Sequence, residues 1–121
     1  MLAMAATYAP EDGGAYGIRL PVDPDTCARD SDRWARWLAH DPLVLADASE
    51  CLESLQRLRG LYLDCGSKDE YFTHFGSRAL VRKLVDAGIN HVYQEFDGGH
   101  SNVSYRLDVS LPFLYRALNS D

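Results

Sequence analysis

The sequence has no apolar run approaching the roughly 20 residues that a membrane-spanning helix requires, so no membrane segment is expected. It has no block of Lys and Arg either. Twelve basic residues stand against 18 acidic ones, for a formal net charge of -6. An acidic surface repels phosphate backbones, which sets nucleic acid aside as a partner. Cysteine is scarce: Cys27, Cys51 and Cys65 are odd in number and show no CxxC spacing. That pattern argues against a disulfide framework or a thiolate metal site, and points to reduced thiols in a cytoplasmic protein. The four histidines include no i, i+4 or HxH pair, so no metal site is expected among them. Internal repeats and low-complexity tracts are also missing.

What remains has the size and composition of one globular domain: 121 residues, 46% hydrophobic and 25% charged. Met1 to Ala9 is apolar but lacks the basic start and the length of a signal peptide. Residues 2–9 instead read as a short buried strand, an interior strand without its upstream neighbour, ending in the Glu11-Asp12-Gly13-Gly14 turn. Gly17, Pro21 and Pro24 keep residues 10–28 irregular. Trp34, Trp37 and Leu38 then follow helical spacing after the N-cap candidates Asp30-Ser31-Asp32, and the residue before Pro42 disfavours continuation. The two tryptophans read as packing residues, with a pocket lining as the alternative. Leu52, Leu55 and Leu58 mark another helix, beginning near Ser49 and closing at Gly60.

The second half is more regular. Leu61 to Cys65 is a strand-length apolar run bounded by Gly60 and Gly66, with Cys65 expected to be buried. From His74 to Ala87, the residues Phe75, Leu80, Val81, Leu84 and Val85 form one helical stripe. Arg78, Arg82 and Lys83 fall on a solvated face, and Gly88 suits the C′ position. Val92 to Phe96 is a second strand. Strand, helix and strand with short connections make a βαβ unit with parallel strands. A closing helix over residues 104–118 contains Pro112, which either kinks it or starts a second segment. The fold class is α/β.

In an open parallel sheet, ligands bind beyond the carboxyl ends of the strands. Two loops occupy that edge: Gly66-Ser67-Lys68-Asp69-Glu70 and Asp97-Gly98-Gly99-His100-Ser101. Neighbouring strands lie about 4.8 Å apart, so a carboxylate and an imidazole from these loops can meet. An Asp–His pair orients the ring and stabilises its protonated form while it acts as general base. Asp69 and His100 are therefore the candidate catalytic residues. On spacing alone Asp69 could equally cap the following helix or sit in a polar turn. Asp64 and Glu70 are the other candidate acids, and His40, His74 and His91 read as structural. The G-x-S-x-G pentapeptide of a nucleophile elbow is absent.

Residues 58–118 resemble the C-terminal part of the esterase D-like family of α/β hydrolases. The likeness rests on LYLDCGSKDE at Leu61–Glu70, FDGGHS at Phe96–Ser101 and DVSLPFLYRAL at Asp108–Leu118. Residues 2–10 resemble the strand that follows the nucleophile helix, and residues 11–40 are the least similar. The resemblance implies the C-terminal part of an α/β-hydrolase fold, with about three parallel strands and flanking helices. It implies that Asp69 and His100 are acid and base of a Ser-Asp-His triad acting on a small-molecule carboxylic ester. The serine is expected upstream of the chain, which alone would be inactive, as a partial hydrolase domain lacking the nucleophile-bearing half. Its expected partners are that missing half or a second copy bound through the apolar edge strand at residues 2–9. The rival expectation is a non-catalytic interaction module, or one half of a split hydrolase or acyltransferase.

Overall fold

Glycines on either side of two β-prone runs, with a long amphipathic segment between them, specify the strand–helix–strand part of the molecule. In the computed structural model, which describes residues 2–14 and 17–120, these runs form β1 (Tyr62–Gly66) and β2 (Val92–Phe96). They pair in parallel from Tyr62↔Val92 to Gly66↔Phe96, and no third strand joins them among the described residues. The expected count of about three strands is therefore reduced to two.

The missing strand is a helix. Leu2–Tyr8, expected as a buried strand, forms α1. Leu, Ala and Met are strong helix formers, and only Thr7 and Tyr8 at the end favour a strand. Apolarity and length, which suggested the strand, do not separate the two states in so short a run. With the strand goes the proposed apolar edge at residues 2–9. Met1, and residues 15 and 16 of the segment expected to be irregular, lie outside the described residues.

Two compact units divide the chain, Met1–Leu45 and Ala46–Asp121. The first holds α1, α2 (Ser31–Leu38) and the short α3 (Pro42–Leu45). Asp30 caps α2 as its sequence position foretells, accepting the Arg33 N–H at 3.0 Å. Helix α2 closes before Pro42, and Asp41 then receives the Leu43 N–H at 2.8 Å to start α3. Within this unit Tyr8 stacks on His40 with ring centres 5.0 Å apart. Trp34 and Trp37, 6.5 Å apart, line a cleft of about 490 Å³ together with Tyr8 and His40.

The second unit runs α4 (Ser49–Gln56), β1, α5 (Thr73–Asp86), β2, a 3-10 turn (Ser104–Arg106) and α6 (Leu107–Asn119). Side chains alternate across a strand, and here the alternation separates two kinds of packing. Tyr62 and Asp64 meet the closing elements: Tyr62 lies 5.6 Å from the Phe113 ring, and Arg106 donates to Asp64 at 2.9 Å and to Gln94 at 2.7 Å. On the opposite face Cys65 Sγ lies 3.2 Å from Thr73 Oγ1, and Arg78 of α5 grips Glu95 through two bonds of 2.6 and 2.7 Å. Helix α5 ends as expected, with Gly88 at φ +66° and its N–H returning to Val85 O at 3.0 Å. Its stripe is less buried than the periodicity suggests. Leu84 is buried but Phe75 and Val85 are exposed, because a two-stranded sheet is too narrow to cover the whole apolar face. Pro112 lies inside α6 rather than starting a second segment. Among the described residues no helix is long and apolar enough to cross a membrane.

Candidate active site

The parallel register brings both strands to an end side by side, at Gly66 and Phe96. Pairing then continues into the loops. Ser67 N–H reaches Phe96 O at 2.8 Å, and Lys68 N–H reaches Gly98 O at 3.0 Å. This close approach needs Gly66: a Cβ there would collide with the Gly98 carbonyl and lie 2.6 Å from Gly99 O. Lys68 and Asp97 form an ion pair of 2.5 Å across the same gap.

Asp69 and His100 meet where these loops end, with His100 Nδ1 and Asp69 Oδ2 2.9 Å apart. Asp69 is buried, while the His100 side chain is 53% exposed. The other carboxylate oxygen, Oδ1, accepts the backbone N–H groups of Tyr71 at 2.9 Å and Thr73 at 3.3 Å. Thr73 begins α5, so the carboxylate also satisfies donors at a helix start. The cap and the His partner, which are alternatives in sequence, coexist because a carboxylate has two oxygens. The backbone turn between them puts Phe72 at φ +60°, an uncommon conformation for a bulky side chain.

Burial pushes the Asp69 carboxyl upward. Hydrogen bonds from the Thr73 side chain, His100, and the Thr73 and Tyr71 backbone outweigh it and hold the group down at about 2. Asp69 is therefore an anion at neutral pH and can only accept. The shared proton must sit on His100 Nδ1. In the neutral imidazole this leaves the Nε2 lone pair free, which is the arrangement a general base needs. Tyr71 packs edge-on against the imidazole with centres 4.9 Å apart, restricting its rotation.

The other candidates are placed apart from the ring. Asp64 pairs with Arg106, and Glu70 accepts the His100 backbone N–H at 2.9 Å. His91 Nδ1 bonds Ile89 O at 2.8 Å, and His74 is buried against the Phe75 ring. Sequence spacing missed the parts played by Glu70, Tyr71 and Thr73 around the pair. Among the described residues no hydroxyl or thiol is bonded to His100. None of their His, Cys, Asp and Glu side chains cluster in threes as metal ligands would.

The fold and these contacts define an α/β chain carrying a buried carboxylate–imidazole couple at the carboxyl edge of a parallel strand pair. A solved structure described as a ferulic acid esterase shares that fold, at TM-score 0.55 and 19% identity. The match covers 82% of this chain and 38% of that one, so the chain spans little more than a third of the esterase. No family model matches the sequence. No curated protein matches it either.

Proposed function

We propose that this chain is the acid–base portion of a serine carboxylesterase of the α/β-hydrolase class, with Asp69 and His100 as two members of its triad. The observation that carries the reading is the 2.9 Å contact between Nδ1 of a half-exposed His100 ring and a buried, ionised Asp69, which leaves the Nε2 lone pair free. The fold shared with an esterase supports it. The nucleophilic serine and its oxyanion donors come from outside the 121 residues, since no G-x-S-x-G segment lies within them.

In the assembled enzyme His100 Nε2 takes the serine proton as the serine oxygen attacks the ester carbonyl. Asp69 holds the resulting imidazolium, which then protonates the departing alcohol. Water repeats the cycle on the acyl-enzyme: His100 accepts its proton and returns it to the serine as the acid leaves. No metal or organic cofactor takes part.

The test uses a fluorophosphonate probe and short p-nitrophenyl esters. The 121-residue chain alone is expected to show neither labelling nor turnover. Combined with a polypeptide that carries a G-x-S-x-G nucleophile, it is expected to do both, and Asp69→Asn should lower kcat by roughly 10⁴-fold through loss of the correct tautomer. Stoichiometric labelling of the isolated chain would overturn the assignment of the nucleophile. Full activity in His100→Ala would overturn the triad.

A second reading, half of a split hydrolase, is favoured by the exposed residues Leu107, Leu111, Tyr115 and Leu118. Spaced along one side of α6, they suit burial against another polypeptide.

A further inference from the structure

The ladder between β1 and β2 does not stop where the strands stop. Its last backbone rungs join Ser67 to Phe96 and Lys68 to Gly98. Two residues beyond Gly98 on the second loop comes the N–H of His100. No backbone carbonyl of the first loop accepts it; Glu70 Oε2 does, at 2.9 Å. A side-chain carboxylate thus supplies the final rung.

Adjacent acids consequently hold one histidine at two points. Asp69 binds the imidazole at Nδ1 and Glu70 binds the main chain of the same residue. Fixing the ring alone leaves the loop free to carry it sideways, and fixing the backbone alone leaves the ring free to rotate. Gly99 completes the arrangement. A Cβ at that position would lie 2.7 Å from Glu70 Oε2, so any larger residue would oblige the end of the Glu70 side chain to shift.

We propose that Glu70 is a positioning residue for the general base, clamping the Gly99–His100 backbone so that the His100 ring stays on Asp69. This rests on the reading of Asp69 and His100 as acid and base, and it assigns Glu70 a task distinct from either. Glu70 touches no reacting atom. It acts through His100.

The experiment is nuclear magnetic resonance on the 121-residue chain, following amide exchange at His100 and the His100 Nδ1–H resonance. In the unaltered chain that resonance is expected and should be lost in Asp69→Asn. Its absence from the unaltered chain would overturn the acid–base reading and the clamp together. With the resonance present, Glu70→Ala should speed His100 amide exchange about tenfold or more, the effect of losing a charge-assisted bond. It should also broaden the ring signal beyond detection. Glu70→Gln keeps an acceptor oxygen in place and should restore both. Circular dichroism checks folding in each case. A ring signal unchanged in folded Glu70→Ala overturns the clamp and leaves the Asp69–His100 pair standing. Should Glu70→Ala fail to fold, Glu70→Asp, whose shorter side chain withdraws the carboxylate from the His100 N–H, takes its place: an unchanged ring signal there overturns the clamp, and a lost one supports it.

Discussion

Ionisation of Asp69 contributes to how the second unit responds to acid. Its carboxyl is held at about 2, below the 3.8 of an unconstrained aspartate. The folded form therefore gains stability that is complete above that higher value and lost as pH falls from 3.8 through 2. Glu95 acts in the same direction, held at about 2 by hydrogen bonds from Arg78 and Tyr93 against an ordinary 4.5. Tyr93 has the opposite sign. Burial, with Glu95 beside it, raises its phenol to about 12 from 10.0, so its contribution is whole below 10.0 and disappears as pH rises through 12. Urea midpoints of the second unit should accordingly fall between pH 4.5 and 2 and again between pH 10 and 12. Tyr93→Phe should flatten the alkaline limb. An unchanged alkaline slope in that variant would show that Tyr93 does not carry it. Loops at two strand ends bring an acid and a histidine within reach of each other in the sequence, but the spacing left Asp64 and Glu70 as rivals, and the resemblance alone singled out Asp69. The bond from Glu70 to a backbone N–H 30 residues away was not legible, since no periodicity records where a side chain meets distant main chain.

At the scale of the element, β1, α5 and β2 were readable because glycines bound them and their apolar residues repeat with the right period. Helix α1 was not. Its seven residues are too few for periodicity to choose between helix and strand, and the choice fell to helix propensity. How much of α5 is covered also escaped the sequence, since width of the sheet is a property of the whole assembly. Leu84 is the side chain that α5 buries most completely, at 1% exposed. Leu84→Ala should destabilise the second unit by about 2–5 kcal/mol, measured by urea unfolding. The same change at Val85, which is 62% exposed, should fall within about 0.5 kcal/mol. Comparable losses at both positions would mean that the burial described for α5 is wrong.

For the whole molecule, the narrow sheet has a consequence for association. Each strand has a single partner among the described residues, so each presents an outer edge of unpaired backbone groups. Such edges invite pairing with another chain, and the exposed side chains along α6 add apolar surface nearby in the same unit. We expect self-association at micromolar concentration through the β1 and β2 edges, in place of the segment at residues 2–9. Light scattering with size-exclusion chromatography checks this, and a strictly monomeric, cooperatively folding species would contradict it.

Both tryptophans of the chain, Trp34 and Trp37, lie in the Met1–Leu45 unit, whereas Asp69 and His100 lie in the other. Both indoles thus give an intrinsic, label-free signal that originates in the first unit. A substitution at the carboxylate–imidazole couple that left emission intact while abolishing the His100 resonance would have changed chemistry in one unit without melting its neighbour.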